Sequence, residues 1–219
     1  MSPLPHSAAR AQEPAAATRE SFVELESYAG RGPPSRPTPM PSAEASTVVD
    51  FWRAAGPARW FAKDAEFDRR FRERFLSLYE AAARGELTGW LATPNGALAL
   101  LLLLDQFPRN AFRGTPRMYA SDAMAREAAA AALAAGHDRA VESELQLFFY
   151  LPFGHSENLA HQERSVALNR RLGERDLSHA QRHRDIVRRF GRFPHRNPIL
   201  GRTMTPAEQQ FLAAGGFAG

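Results

Sequence analysis

Polar side chains cluster around three prolines of the chain, Pro108, Pro152 and Pro194. Two of these segments share an order, in which Phe-Pro precedes an arginine followed by an asparagine. The polar residues of the three segments that could carry chemistry are Asp105, Arg109, Asn110, His155, Glu157, His195, Arg196 and Asn197. Arginine suits carboxylate or phosphate groups, and histidine transfers protons near neutral pH. These types indicate a site for a small anionic ligand, with the two histidines and the glutamate as candidates for acid–base catalysis.

Helical periodicity supplies the elements that must position these residues. After residue 41, apolar residues recur every three or four positions, and no segment alternates as a strand would. We predict eight helices, over residues 41–54, 64–84, 93–106, 121–135, 139–151, 156–172 and 176–190, with a short one from 205. The sequence therefore indicates an all-α fold, an array of about eight antiparallel helices joined by short loops.

The three proline segments fall at the ends of the third, fifth and seventh predicted helices. Proline lacks a backbone N–H and disfavours helical geometry before it, so we expect each helix to end there. In an up-and-down array, the carboxyl ends of odd-numbered helices lie at the same end. We therefore expect the polar residues after Pro108, Pro152 and Pro194 to converge in one pocket. The alternative is that the arginines and asparagines only cap helix ends.

His183 has a separate reason to belong to this pocket. It lies on the apolar face of the seventh predicted helix, with Leu177, Ala180 and Val187. A partly buried, hydrogen-bonded histidine is the favoured interpretation over a metal ligand, because the chain has no metal signature such as HExxH. We therefore add His183 to the ligand-binding residues, expect no metal site and identify no cofactor.

The basic residues suggest a different partner. The net charge is +4 and the pI is about 10.1, and every basic residue except Lys63 is arginine. Residues 161–205 hold eleven arginines and four acidic residues, and arginines flank phenylalanines in residues 182–196. Arginine beside aromatic rings can bind RNA. A solvated arginine surface is favoured over nucleic-acid binding, because the rest of the chain is nearly neutral and has no nucleic-acid-binding motif.

Cysteine and proline usage limits the remaining possibilities. The chain has no cysteine, which excludes disulfides, thiolate zinc sites and cysteine nucleophiles. Eight of the 16 prolines lie in residues 1–41, which we predict to be a disordered arm, with one helical domain over 42–219. The chain has no apolar signal or membrane-spanning segment, so we expect a cytoplasmic protein with no membrane partner.

Several motifs together resemble a known bacterial family. They are Phe51-Trp52, Arg59-Trp60-Phe61, residues 104–110 and 112–116, Tyr150-Leu151-Pro152, His155-Ser156-Glu157, Gln162-Glu163-Arg164-Ser165, and residues 183–186 and 189–202. Over about residues 47–213, the chain is similar to the family named domain of unknown function 924. The resemblance implies an all-helical fold like that of tetratricopeptide-repeat proteins, with a concave inner surface. It implies no activity.

Three functions follow from these observations. The first is a polar pocket that binds a small anionic ligand. The second is a protein interaction module that binds peptides in a concave helical groove. The third is RNA binding through residues 182–196. A closed pocket with histidines would favour the first, and an open groove lined by apolar and amide side chains the second. The sequence favours the pocket and assigns neither its ligand nor a reaction.

Overall fold

A computed structural model describes residues 42–218, and this part of the chain contains no strand. The α-helices are α1 (Ala43–Ala55), α2 (Pro57–Trp60), α3 (Ala65–Ala83), α4 (Pro94–Leu101), α5 (Phe107–Ala111), α6 (Asp122–Ala134), α7 (Leu147–Gly154), α8 (Leu159–Asn169), α9 (Glu174–Phe190) and α10 (Pro206–Ala213). A π-helical turn joins α4 to α5, so these residues form nine continuous helices, and α2 is the one not predicted. The all-α prediction is confirmed. The predicted arm, residues 1–41, lies outside the described residues.

Aromatic side chains of α1, α3 and α7 form the centre of the core. The buried face of α3 includes Phe67, Phe71 and Phe75, at the spacing that the sequence predicts. The Phe71 ring centroid lies 5.4 Å from that of Trp52 on α1, which in turn lies 5.4 Å from that of Phe148 on α7. None of the helices in this described part of the chain is long and apolar enough to cross a membrane.

The helix that begins with α4 continues through Pro108 instead of ending before it. A π-helical turn at Leu102–Gln106 widens the helix, which then continues as α5 to Ala111. Pro108 lacks the N–H group that would bond to Leu104 O in an α-helix, and Ser121 Oγ donates to that carbonyl at 2.6 Å instead. The prediction that Pro108 ends the helix is therefore wrong, because a side chain from another segment replaces the missing donor.

Replacement of Ser121 by alanine should leave the Leu104 carbonyl without this donor. Because Ser121 and Leu104 are buried, we expect the free energy of unfolding to fall by about 1–3 kcal/mol. Urea denaturation of the full chain measures the change. Ser77→Ala, at an exposed position of α3, is the control and should change stability by less than about 0.5 kcal/mol. Equal effects of the two substitutions would contradict a stabilising role for the Ser121 hydroxyl.

The other two prolines also do not end helices. Pro152 lies inside α7, which continues because later donors are still paired, as His155 N is with Leu151 O at 2.9 Å. α9 ends before Pro194 is reached, at Gly191, whose φ of 71° is the left-handed conformation that terminates many helices. The prediction for Pro152 is therefore wrong, whereas the predicted helix end at residue 190 is confirmed, with Gly191 instead of Pro194 as the residue that terminates the helix. Polar residues nevertheless follow the ends of both helices.

The helix predicted over residues 139–151 is replaced by shorter elements. Two 3-10 helices, His137–Ala140 and Ser143–Leu145, precede α7. The backbone of Val141 is extended between them, which interrupts the helix. The Tyr150 hydroxyl donates to Asp138 Oδ2 at 2.8 Å and holds the first 3-10 helix against α7. As a result, only the last five residues of the predicted helix, 147–151, are α-helical.

Candidate functional site

Residues 155–158 form the loop between α7 and α8. The sequence predicted a helix from residue 156, but α8 begins at Leu159. Asn158 Oδ1 accepts hydrogen bonds from two backbone N–H groups in the first turn of α8, which sets the start of that helix. α7 ends close to α8 at Gly154, where a Cβ atom would lie 3.0 Å from Ser165 Oγ. The loop residues therefore leave the helices at a tightly packed junction.

His155 and Asp105 form a hydrogen-bonded pair. His155 Nδ1 lies 2.7 Å from Asp105 Oδ1, and Gln106 Nε2 donates to Asp105 Oδ2 at 2.6 Å. Asp105 and Gln106 belong to the π-helical turn, which therefore positions the acid. The side chain of Asp105 is 2% exposed and that of His155 is 15% exposed. The imidazole consequently reaches the surface of a cleft while the carboxylate lies beneath it.

Arg109 connects this pair to α6. Its Nη1 atom lies 3.2 Å from Asp105 Oδ1 and 2.9 Å from Asp122 Oδ1, and it donates to Asp105 O at 2.7 Å. Asp122 is the first residue of α6, where its negative charge also interacts favourably with the helix dipole. Arg109 therefore holds the π-helical turn and the start of α6 together.

Arg196 is held between two aromatic rings beside His155. Its guanidinium carbon lies 4.5 Å from the centroid of the Tyr119 ring and 4.6 Å from that of Phe193. Its Nη2 atom donates to the backbone carbonyl of His155 at 2.8 Å, and its Nη1 atom lies 3.7 Å from Asp122 Oδ2. Arg196 is 7% exposed. The structure therefore brings Asp105, Arg109, His155 and Arg196 into one network, as the three proline segments suggested.

These residues lie at or beneath an open cleft with a volume of about 640 Å³. The charged and titratable side chains that line it include Asp122, Arg126, His155, Glu157, Arg196 and Arg202. Asp105 and Arg109 contact the lining residues from behind.

Glu157 lines the cleft, and its carboxylate accepts hydrogen bonds from a side chain and from the backbone. It accepts two hydrogen bonds from Arg202 Nη1, at 2.8 and 3.0 Å, and one from Phe193 N at 2.9 Å. The last of these bonds holds the segment that precedes Arg196. The paired carboxylate of Glu157 therefore positions neighbouring groups and is less suited to proton transfer than His155.

The two asparagines lie away from the cleft lining. Asn110 donates to Asp68 Oδ1 at 2.7 Å, where Arg113 also binds that carboxylate. Asn197 is fully buried, and its Nδ2 atom lies 3.3 Å from Met204 Sδ. Both asparagines connect structural elements, so the shared Arg-Asn order places only the arginine of each pair in the site network.

His183 and His195 form an aromatic cluster next to the site. The ring of Phe217 lies 4.6 Å from His183 and 5.1 Å from His195, and Phe193 packs against both histidines. Burial lowers the pKa of His183 to about 3, and burial also lowers the pKa of His195 to about 4. Both are neutral at pH 7, and neither lines the cleft.

The comparisons with known proteins agree with the sequence motifs. Residues 48–216 match the family described as a bacterial protein of unknown function (DUF924). The chain belongs to this family. A solved structure of a protein of unknown function, ATU0120 from Agrobacterium tumefaciens, is similar at 57% sequence identity and a TM-score of 0.78. The similarity covers 79% of this chain and 98% of that one. No curated protein matches the chain.

Burial and charge set the protonation states in this DUF924 site. Burial would raise the pKa of Asp105, but the charge of Arg109 and the hydrogen bond from His155 lower it well below its usual value. Burial lowers the pKa of His155, and Arg109 lowers it further. Asp105 is therefore ionised and His155 neutral at pH 7. Because a carboxylate only accepts hydrogen bonds, His155 Nδ1 carries the hydrogen and Nε2 keeps its lone pair.

Several cleft residues of the DUF924 chain were missed at the level of sequence. They are Tyr119, Asp122, Arg126, His161 and Arg202. Asp122 and Arg126 are one helical turn apart in the predicted helix 121–135, and Arg202 ends the most distinctive motif, so both segments had a usable signal. His161 lies 2.9 Å from Ser156 Oγ through its Nδ1 atom, a pairing that only the loop geometry creates. Within residues 42–218, no group of three or more histidine, aspartate or glutamate side chains is arranged so that it could hold a metal ion.

Proposed function

We propose that the cleft binds a small anionic ligand through Arg196, with Arg126 as a second cationic group. The two carboxylates of the cleft already have cationic partners: Asp122 lies beside Arg109, and Glu157 binds Arg202. Arg126 donates to the backbone oxygen of Asp122 at 3.0 Å and makes no ion pair with a carboxylate among residues 42–218. The lining therefore has excess positive charge.

The environment of Arg196 is the observation that carries this proposal. Burial lowers its pKa, and the nearby charge of Arg109 lowers it further. Its nearest carboxylate oxygen, on Asp122, is 3.7 Å away, and its closest acceptor is a neutral backbone carbonyl. A carboxylate or phosphate in the cleft would supply the negative charge that this buried guanidinium lacks. The aromatic rings on either side hold it in a fixed orientation for such a ligand.

Arg196→Lys tests this function, because it keeps the charge and removes the planar fork. The probes are inorganic phosphate and citrate, titrated into the full chain by calorimetry. We expect both anions to bind the parent, and the substitution to weaken binding by at least about tenfold, which corresponds to 1.4 kcal/mol. Absence of binding to the parent would exclude the proposed function.

An arginine outside the cleft provides the matched control. Arg188 is exposed on α9 and pairs with Glu163 and Asp185. Arg188→Lys should leave the affinity for both anions unchanged. Arg126→Gln is a second cleft variant, at a partly buried position, and we expect it to weaken binding as well. Equal effects of Arg188→Lys and Arg196→Lys would indicate nonspecific attraction of anions to a basic protein.

The tetratricopeptide-like arrangement and the peptide groove also remain proposals. The packing of α7 on α8 and of α8 on α9 supports a helical array at this end of the chain. The ordered Arg–Asp–His network supports a small-molecule cleft more strongly than a peptide groove. We therefore keep peptide binding as the second function, with a protein partner of unassigned chemistry.

The contacts of the basic segment weaken the case for RNA binding. Arg184 and Arg188 pair with Asp185, and Arg192 pairs with Glu208. Arg196 lies in the cleft instead of on the outer surface of α9. With these cations engaged elsewhere, a continuous phosphate-binding surface over residues 182–196 has less support than the sequence alone suggests.

A further inference from the structure

Hydrogen bonds hold both the side chain and the backbone of His155. Its Nδ1–H group donates to Asp105, and its backbone carbonyl accepts from Arg196 at 2.8 Å. Asp105 is itself fixed by Gln106, through a hydrogen bond of 2.6 Å to its second oxygen. The aspartate therefore holds one tautomer, in which Nε2 accepts no hydrogen bond from the described residues.

A neutral histidine in this tautomer has the protonation state that a general base requires. It takes a proton on Nε2, and the adjacent carboxylate stabilises the imidazolium that results. His155 lines the same cleft as the anion-binding Arg196, so a ligand anchored on the guanidinium would have its neighbouring atoms next to the imidazole. An oriented base beside a group that can hold an anion is an arrangement that favours catalysis in addition to binding.

We propose that the cleft hydrolyses an ester whose acyl group carries a second, anionic group, with His155 as the general base. The proposal rests on the proposed function, because Arg196 must hold the anionic group. Asp105 is a positioning residue that acts through the imidazole. Water is the second reactant.

The reaction has two proton transfers. His155 Nε2 accepts a proton from water while the water oxygen forms a bond to the acyl carbon, and the carbonyl electron pair moves to its oxygen. Arg126, which also lines the cleft, supplies N–H donors for that oxyanion. The pair then returns to re-form the carbonyl as the ester C–O bond breaks, and the imidazolium gives its proton to the leaving alkoxide. The products are a carboxylic acid and an alcohol.

A purely structural role is the competing explanation for the Asp105–His155 pair. Buried acid and histidine pairs also connect segments without doing chemistry. A structural pair would show no reaction with an ester and no kinetic pH dependence. The two explanations therefore differ in measurements that stability alone does not report.

The test is the hydrolysis of mono-4-nitrophenyl succinate by the full chain, with neutral 4-nitrophenyl acetate as the comparison ester. We expect the parent to hydrolyse the succinate ester faster than buffer and with a higher kcat/KM than the acetate. His155→Gln should lower kcat by about 10²-fold or more. Asp105→Asn should lower kcat with little change in KM, as expected for a residue that orients the base. His179→Gln, at an exposed position of α9, should leave the rate unchanged.

The pH profile of the parent needs no variant. The rate should rise with pH and level off, with its midpoint below the ordinary histidine value, because burial lowers the pKa of His155. The groups that face this imidazole are Asp105, Arg109, Asp122, His183, His195 and Arg196. Since His183 and His195 titrate near pH 3 and 4, a midpoint that His155→Gln removes belongs to His155.

The outcomes separate this inference from the binding function. If phosphate binds through Arg196 but the succinate ester reacts no faster than in buffer, the hydrolase inference is wrong and the binding function stands. If the ester reacts and loses its rate in His155→Gln, yet Arg196→Lys has no effect on KM or on phosphate affinity, the anion-binding function is wrong. Loss of rate in both His155→Gln and Arg196→Lys, with each variant folded by circular dichroism, supports both.

Discussion

Replacing Asp105 with alanine should lower the free energy of unfolding by about 3–5 kcal/mol. The carboxylate is buried, and its two oxygens accept from His155 and Gln106. Its removal leaves Arg109, whose side chain is only 14% exposed, with Asp122 as its remaining carboxylate partner. Arg109 and Arg196 would then share Asp122 as their carboxylate partner, and the resulting excess of buried positive charge is costly because these groups have lost their water. Urea denaturation at pH 7 gives the change.

An exposed aspartate provides the scale for this effect. Asp50 pairs with Arg53 on α1, and its side chain is 67% exposed. Asp50→Ala should cost less than about 1 kcal/mol, since solvent screens a surface ion pair. Adding Arg109→Leu to Asp105→Ala should recover part of the lost stability, because it removes the excess positive charge and leaves Asp122 paired with Arg196. A cost for Asp105→Ala no larger than that of Asp50→Ala would show that the network does not stabilise the fold.

The second large effect is a loss of stability on mild acidification, from pH 6.5 towards pH 4.5. In the folded chain, burial lowers the pKa of His183 to about 3 and that of His195 to about 4, whereas unfolded histidine titrates near 6.5. Between these values the unfolded chain binds more protons, so stability falls as pH falls. The slope is at most about 1.4 kcal/mol per pH unit for each histidine. Urea denaturation at half-unit pH intervals measures it.

A substitution identifies the histidines that cause this slope. His183→Leu removes one buried titrating group and should reduce the slope over this pH range by up to about 1.4 kcal/mol per pH unit, while His155 and His195, whose pKa values burial also lowers, keep their contributions. His179→Gln, on the same helix but exposed, should reduce the slope less than His183→Leu does, although burial also lowers the pKa of His179. Near pH 4.5 the carboxylates of the unfolded chain also bind protons, so the variants are compared in the upper part of the range, between about pH 5.5 and 6.5. A slope that His183→Leu does not alter would assign the acid sensitivity to other groups.

Much of the helical pattern could be predicted, because apolar spacing directly reflects which face is buried. The α3 face of Phe67, Phe71 and Phe75 is an example. The sequence predicted one helix too few, but this error did not change where the three proline segments lie relative to one another. The unpredicted α2 precedes all three segments, so it changes the parity of each equally. Relative position in an array therefore tolerates a miscount that occurs upstream.

The contacts within the site could not be predicted, because they depend on backbone geometry that residue types do not specify. Asp105 faces His155 because a π-helical turn carries it, and propensity does not distinguish such a turn from an α-helix. Tyr119 lies in a 3-10 segment without periodicity, yet it contacts Arg196. The repeated asparagines led to a wrong prediction. Asn110 and Asn197 were expected in the ligand site, but they make contacts that connect structural elements.

The π-helical turn at Leu102–Gln106 also lets the two parts of one helix turn different faces towards the core. One residue more than an α-helix would hold shifts every later side chain by about 100° around the axis. Residues before the turn can therefore keep the register that packs α4 into the core, while Arg109 follows a different register that directs it towards Asp122. The additional residue in the turn thus lets α4 face the core and α5 face the cleft, although both belong to one continuous helix.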